Sequence, residues 1–414
     1  MKRLLAALAV LITLAAVQRD RAPRWAVGTI AGARFPYVPG SLVRISVDGV
    51  SPPYGLTAIG PGSIDAGLLR FGDNGGAGST TVIAAARGGL AMHAFSLAPP
   101  PDPTRPFIAV ASYDDGVIFH QASAPFTAIA ALGIAGAPAD VVISARGELA
   151  SANTDGLTAT IAHLQPWSVH TFDGVPFTDE LAFDERTGAL FATDRDVDGF
   201  GAITRIGPDA NVSRRVLGLT SEGLAVDGAR GLVYVANVND GTISVVDAAT
   251  LVELRRFHAI DRVFSLALSP DGTRLYAVSN QSVDSPFAAA GSVVEIDATG
   301  NHSRRLARSG PLSFPVGIAF DRRHRRVYVT DENDDDVAVL DARTLAAVHT
   351  PLRTCQTPWK PTVDGDRLYV PCARSNEIDV FDTATLQRVP GAPFATGGYP
   401  LAVAVWHGTP RVVP

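Results

Sequence analysis

The sequence predicts an all-β protein made of repeated four-stranded antiparallel sheets, and three observations carry that expectation. The first is a repeat. Written above one another, "VYVANVNDGTISVVDAATL" from Val233, "VYVTDENDDDVAVLDARTL" from Val327 and "LYVPCARSNEIDVFDTATL" from Leu368 align without a gap. Tyr234, Tyr328 and Tyr369 then coincide, as do Asp247, Asp341 and Asp382. Looser copies put Ala109, Ala150, Phe191 and Tyr276 at the tyrosine position, and the seven anchors follow one another at 41, 41, 43, 42, 52 and 41 residues. The second observation is turn chemistry: 39 glycines and 29 prolines in 414 residues, with Asp-Gly and Asn-Asp pairs between apolar runs, fit many short strands joined by tight turns. The third is the pattern inside one period. "FPVGIAFD" from Phe314, "RRVYVTD", "DVAVLDA" and "AAVHTPL" read as four successive short strands, and four strands in a period of this length make one blade of a closed ring.

From the N-terminus, Lys2 and Arg3 precede an apolar run over residues 4–17, shorter than the ~20 residues of a bilayer span. It fits the charged start and apolar core of an export signal over residues 1–18, with an uncleaved anchor as the alternative. Residues 19–414 are expected to form one propeller domain. "SLVRISV" from Ser41 reads as a strand, and "PPYGLTAIGPGSIDAGLLRFGDNG" from Pro52 as a faint extra repeat unit. "APPPDPTRP" from Ala98 is a rigid connector by composition. In each later unit the first two strands, such as "VGIAF" and "LVYVA", are apolar throughout, as suits strands covered on both faces by neighbouring blades. The outer strands, such as "LVELRRF", are more polar and suit the rim. "YPLAVAV" from Tyr399 is a first strand without a blade of its own, so the ring is expected to close by pairing N- and C-terminal strands, with "SLVRISV" as the natural partner. Eight blades is the first choice, with seven or nine also allowed.

"VYVANVNDGTISVVDAATL" and "SPDGTRLYAVSN" resemble the bacterial YVTN-type β-propeller repeat, closely over residues 220–386, more loosely over 105–219 and faintly before that. The resemblance implies the propeller fold and says little about activity, because propellers host unrelated functions. Several propeller families are lactone hydrolases, lyases or quinone-dependent dehydrogenases, so an enzyme centred on the channel is compatible with it.

The net charge of −6 and the scattered basic residues leave nothing to neutralise a run of phosphates, which argues against a nucleic-acid partner. Of the 35 basic residues only Lys2 and Lys360 are lysines. No run beyond the N-terminal one could span a membrane as a helix. With only Cys355 and Cys372, a cysteine-only zinc site and C-x-x-C-H attachment of a c-type haem are excluded. Cys372 takes the place of Asn237 at the end of a second strand, and Cys355 stands just before a first strand. The two are expected to form a structural disulfide, the alternative being two free buried thiols.

Asp194, Asp196 and Asp198 with Gly199 have the D-x-D-x-D-G spacing of a calcium loop, although Arg205 stands where a bidentate Glu belongs and the flanks read as strands. A solvated acidic hairpin is the alternative, and calcium is the one cofactor the sequence suggests. "DENDDD", residues 331–336, reads as a solvated turn. Asp247, Asp297, Asp341 and Asp382 recur at the end of the third strand and are assigned to Asx turns. Asn153, Asp194 and Asn237, at matching strand ends, are the positions that could converge on a divalent ion in a channel enzyme. Function should sit in what does not repeat, such as the insertion "QSVDSPFAAAG" at residues 281–291. Trp167 and Trp359, flanked by prolines, are assigned to packing. The resulting expectation is an exported bacterial protein, periplasmic or secreted and monomeric by default. It would bind a small ligand or protein on one face of the ring without catalysis of its own. A metal-dependent lactonase or lyase, or a quinone-dependent enzyme, is the alternative.

Overall fold

The structure is a computed structural model that describes residues 26–410, apart from 31–33, 51, 73–77, 87–88, 177, 196–198, 281–289 and 300–304. Among the described residues the repeat builds seven four-stranded antiparallel sheets arranged as the blades of a β-propeller. Six are continuous in sequence. The first of these runs Pro138–Ile143, Glu148–Asn153, Thr158–Leu164 and Trp167–Asp173 from the centre outwards, and the last runs Thr362–Asp364, Arg367–Cys372, Glu377–Asp382 and Phe394–Ala395. The remaining blade joins the two ends of the ring. Its inner strand is Pro400–His407, paired antiparallel with Pro106–Ser112, and Gly116–Gln121 and Ala128–Leu132 complete it.

Among the described residues the ring closes at seven blades, within the seven to nine the repeat allowed and one short of the first choice of eight. The seven anchors already counted the blades, since each lies in a second strand, from Ala109 in Pro106–Ser112 to Tyr369 in Arg367–Cys372. What suggested an eighth blade belongs elsewhere. Within "SLVRISV" the strand Leu42–Arg44 pairs with Leu68–Phe71, not with the C-terminal strand. Gly55–Ile59 joins a separate sheet with Gly78–Ala86, Gly89–Leu97 and Ala26–Val27. These strands enclose their own core of Ile30, Leu69, Phe71, Val82 and Phe95, which Ile118 and Ala131 of the closing blade extend. Tyr37 bridges Leu97 on one side and Ala131 on the other. The N-terminal sheets thus cover the outermost strand of the closing blade, an edge whose unpaired backbone groups would otherwise face solvent.

The repeated tyrosine is a joint between blades. A fully buried phenol needs a partner for its hydroxyl. Tyr276 donates to the Ala342 carbonyl at 2.7 Å, and Tyr234 to the equivalent Ala298 carbonyl at 3.4 Å, each in the turn after the third strand of the following blade. Burial, with the Glu295 charge nearby, raises the Tyr276 phenol well above its ordinary range, so it stays a donor at all working pH values. Tyr276→Phe is expected to cost about 1 kcal/mol, the worth of one buried hydrogen bond, read as a lower urea midpoint at unchanged slope.

The recurring aspartates shape the turns into which these tyrosines reach. Asp247 Oδ1 accepts from the Ala249 and Thr250 N–H groups at 3.1 and 2.8 Å and from the Thr250 hydroxyl at 2.7 Å. Asp341 and Asp382 repeat the pattern with Thr344 and Thr385. The side-chain and backbone hydrogen bonds of Thr250 hold the Asp247 carboxyl below its usual value.

Candidate functional site

Every inner strand begins at the same end of the channel, and its first residues set what the channel mouth presents. Pairing with the second strand fixes the register, with Pro138 opposite Asn153, Thr178 opposite Asp194, Ser221 opposite Asn237, Val263 opposite Ser279, Pro315 opposite Asp331, Pro358 opposite Cys372 and Pro400 opposite Ser112. Just past that pair the register of the continuous inner strands shifts, as at Pro138/Asp140, Thr178/Leu181 and Pro315/Gly317. Such bulges re-aim side chains. The next position around the ring carries Ala139, Asp179, Glu222, Phe264, Val316, Trp359 and Leu401, all of which line one cavity of about 540 Å³ together with Glu180 and Lys360. Gly317 permits the tight approach of the neighbouring loop, since a Cβ there would stand 2.5 Å from Pro361 Cδ. All seven blades contribute to the lining, and the volume suits a small molecule.

The charged centre of this mouth is a lysine held between two acids. Lys360 Nζ lies 2.6 Å from Asp140 Oδ2 and 3.9 Å from Glu180 Oε1, reaching across the channel to the second and third blades along the ring. Asp140 is almost fully buried and also accepts the Val141 and Leu181 N–H groups, both at 2.8 Å. Glu180 Oε2 accepts the Leu224 N–H at 2.9 Å. Burial pulls the Lys360 ammonium down, but Asp140 and Glu180 together outweigh it and leave it above its ordinary value. Burial pushes the Glu180 carboxyl up to about 7, against the opposing pull of Lys360 and the Leu224 N–H and with the help of the Asp140 charge. On the aromatic side, Trp359 meets Phe264 edge to face at a centroid distance of 6.3 Å. Arg262 donates to Asn280 Oδ1 at 3.2 Å.

The Glu180 shift has a definite consequence for stability. A carboxyl whose folded pKa lies above its unfolded value of 4.5 keeps its proton longer in the native state, so unfolding releases protons between the two values. Its contribution to stability is present below about pH 4.5 and is lost as pH rises through 7. Wild-type protein is therefore expected to lose stability relative to Glu180→Gln between about pH 5 and pH 8, measured as the difference in urea midpoints across that range.

The strand-end positions singled out for a channel ion lie elsewhere. Asn153 and Asn237 are fully buried inside their blades, where Asn237 accepts from Ser221 Oγ at 3.0 Å and donates to Thr242 and Ser244. Asn153 makes the matching set with Ser151, Thr158 and Thr160. Asp194 is equally buried and takes Arg214 in a two-pronged ion pair, with contacts of 3.1 and 2.8 Å. None of the three lines the cavity. Of the calcium-loop residues, Asp196 and Asp198 fall outside the described residues, as does most of the 281–291 insertion.

These strand ends share a structural task, which is to tie the second strand to its surroundings. Ser112 donates to the Gly398 carbonyl and Ser279 to the Asp261 carbonyl, while Asp331 accepts from the Ser313 and Phe314 N–H groups, each at the loop entering an inner strand. In the last blade the same position is Cys372, bonded to Cys355 with a Cα separation of 5.6 Å. The "DENDDD" run is likewise a built turn, not only a solvated one. Asp335 Oδ1 accepts the Thr357 N–H at 2.8 Å, and burial with the Asp331 charge pushes the Asp336 carboxyl up to about 6. Trp167 packs against the core and donates to the Pro39 carbonyl at 3.0 Å, as expected, whereas Trp359 is a wall of the cavity.

No family model matches the chain. Two curated relatives, the uncharacterized YncE proteins of Salmonella typhi and Salmonella typhimurium, are each 25% identical to it over 190 residues. The chain resembles YncE, a YVTN-type β-propeller protein. The match covers 44% of this chain and 50% of theirs, so the chain spans about half the length of the curated relatives it matches. Among solved structures, a protein of unknown function from Desulfotomaculum acetoxidans superposes with a TM-score of 0.60 at 16% identity, covering 73% of this chain and 99% of that one. A candidate 6-phosphogluconolactonase from Bacteroides fragilis superposes with a TM-score of 0.58 at 12% identity, covering 74% and 99%. At these identities the likeness to solved structures is one of fold alone.

The repeat of this YncE-like propeller does not mark the site, because the site is built from positions that do not recur. Two signals in the sequence point to it. Stepping one or two residues past the partner of each strand-end position lands on Asp179, Glu180, Glu222, Phe264, Trp359 and Lys360, which differ from blade to blade. The other is Lys360 itself, a lysine in a chain whose basic residues, Lys2 apart, are all arginines. A compact ammonium on a flexible stem can serve two carboxylates at different distances, which the planar guanidinium fork does less well.

Proposed function

We propose that the channel mouth is a small-molecule binding site and that the protein is an extracytoplasmic binding propeller without catalysis of its own. The observation that carries this reading is the ring of unlike side chains at one register position. Strand ends a residue away are spent on holding the fold, while Asp179, Glu222, Phe264 and Trp359 face a shared cavity. Export is supported by the Cys355–Cys372 disulfide together with the charged and apolar start of the chain. A thermal-shift screen of a fragment library against wild type and Trp359→Ala tests the binding reading. Hits that stabilise the wild type and lose their effect in the variant are expected, and hits indifferent to Trp359 would place binding elsewhere. A second reading follows from one observation. Glu180, poised near neutrality beside Lys360, has the proton affinity of a general acid or base, and turnover abolished in Glu180→Gln would make the protein an enzyme.

A further inference from the structure

We infer that the ligand is a neutral oligosaccharide lying in a trough that runs from the channel mouth, past Tyr113, into a second cleft between the N-terminal sheets and the ring. The inference rests on the binding reading and adds to it a chemical class and a second subsite. The first support is shape. The second cleft measures about 550 Å³ and is lined by Tyr37, Arg44, Tyr113, Asp114, Asp115 and Asp155. Tyr113 lines it and the channel mouth alike, and the adjacent residues Thr154 and Asp155 line one cavity each. Asp155 Oδ2 accepts from the Tyr113 hydroxyl at 2.8 Å, which fixes the point where the two cavities meet. Either cavity alone has the size of a small-molecule pocket, roughly 300–1,000 Å³, so a ligand that fills both is a chain and not a single ring.

The second support is Tyr37. It is 8% exposed and packs against Phe71 and Phe95, and its side chain lines the cleft. Its hydroxyl has no hydrogen-bond partner among the described residues, whereas the buried Tyr234 and Tyr276 each spend theirs on a carbonyl. A buried phenol ordinarily has such a partner, and here the ligand would supply it. Burial, with the Asp115 charge nearby, pushes the Tyr37 phenol up to about 12, so it stays a donor. Asp115 accepts the Gly398 N–H at 2.6 Å and stands 3.5 Å from Arg34, while Asp114 and Arg44 make no hydrogen bond or ion pair among the described residues. Donors and acceptors side by side suit hydroxyls, each of which donates once and accepts twice. The third support is the pairing of charge at the mouth. Lys360 sits on Asp140 at 2.6 Å and lies 3.9 Å from Glu180 Oε1, too far for a hydrogen bond, and Asp179 and Glu222 are engaged within the protein. A ligand ammonium at Glu180 would meet Lys360, and a ligand carboxylate at Lys360 would meet Glu180. A hydroxyl between the two can accept from one and donate to the other. The C–H faces of sugar rings are apolar and can cover Trp359 and Phe264, and Tyr113 and Tyr399, 36% and 40% exposed and edge to face at 6.2 Å, offer the same cover along the rim.

A glycan array of neutral glucose, galactose and mannose oligomers, with matched glucosamine and glucuronate oligomers, selects the probe. The best neutral oligomer and its monosaccharide are then titrated by calorimetry into wild type, Tyr37→Phe and Trp359→Ala, with tetraglycine as a neutral chain that lacks sugar C–H faces. The oligomer is expected to bind roughly tenfold tighter than the monosaccharide and roughly tenfold tighter than its charged counterparts. Tyr37→Phe removes a hydroxyl without a partner in the protein, so its thermal midpoint should match that of wild type. It should weaken the oligomer about fivefold, the worth of one neutral hydrogen bond, and leave the monosaccharide unchanged. Trp359→Ala should weaken both sugars. If the glucosamine or glucuronate oligomers or tetraglycine bind as well as the neutral oligomer, the saccharide class falls. If the oligomer gains nothing over the monosaccharide and is indifferent to Tyr37→Phe, the second subsite falls. If no sugar binds while members of the fragment library still depend on Trp359, the whole inference falls and the channel-mouth reading stands. If no fragment depends on Trp359 either, both fall.

Discussion

Replacing Lys360 by alanine is expected to lower the unfolding free energy by about 3 kcal/mol, toward the low end of the cost of removing one partner of a buried ion pair. The Asp140 carboxylate is 1% exposed, and the ammonium at 2.6 Å is its charge partner. Once that is gone, Asp140 must stay ionised in a dry place, take up a proton, or draw water into the channel. Its bonds from the Val141 and Leu181 N–H groups keep the cost from rising further. The double variant Lys360→Ala with Asp140→Asn is expected to recover about half of the loss, because most of it is the penalty of the stranded charge, not the worth of the pair. Urea titration followed by circular dichroism at pH 7 measures both. A loss below about 1 kcal/mol for the single variant would mean that solvent already screens the pair, as it does for surface ion pairs.

The same residue shows how far the sequence could be read. The blades were legible because a blade is a local object. Its hydrophobic period, its turn residues and its Asx-capped third strand repeat in register, so Tyr234, Tyr328 and Tyr369 could be aligned by eye and fall in equivalent strands. The disulfide was legible for the same reason, since register placed Cys372 at a strand end and Cys355 at the neighbouring entry. Blade number was less so. The N-terminal strands carry the same apolar alternation and Gly-rich turns as blades, and composition does not say whether Leu42–Arg44 pairs with Pro400–His407 or with Leu68–Phe71. The site was hardest, because it is assembled from different blades by ring closure. Lys360 and Asp140 are 220 residues apart and meet only across the channel. The polar strand ends Asn153, Asp194 and Asn237 resemble potential ligands because they are polar residues at matched positions. Their hydrogen bonds are instead the satisfied interior of each blade, as buried polar groups in a closely packed sheet require.

Opening the Cys355–Cys372 bond, by reduction or by paired substitution to alanine, is expected to cost about 3 kcal/mol, the loop-closure term for a crosslink spanning 17 residues. The last blade has particular need of it. Its inner strand is the short Thr362–Asp364, while the inner strands of the other continuous blades run six or seven residues. Pro358 and Pro361 remove two N–H groups from the segment that leads into it. Few backbone bonds hold this entry loop to the blade beyond Trp359 N–H to the Pro371 carbonyl and Ala373 N–H to the Thr357 carbonyl, at 2.8 and 2.9 Å. The loop closed by the disulfide contains both Trp359 and Lys360, so the crosslink that stabilises the blade also fixes an aromatic wall and the cation of the channel mouth. Reduction is therefore expected to act twice. The urea midpoint should fall, and any ligand found to depend on Trp359 should bind more weakly under conditions where the protein remains folded. A reduced protein with an unchanged affinity for such a ligand would show that the ring contact with Phe264 and the Trp359 N–H bond to the Pro371 carbonyl, and not the disulfide, hold the tryptophan in place.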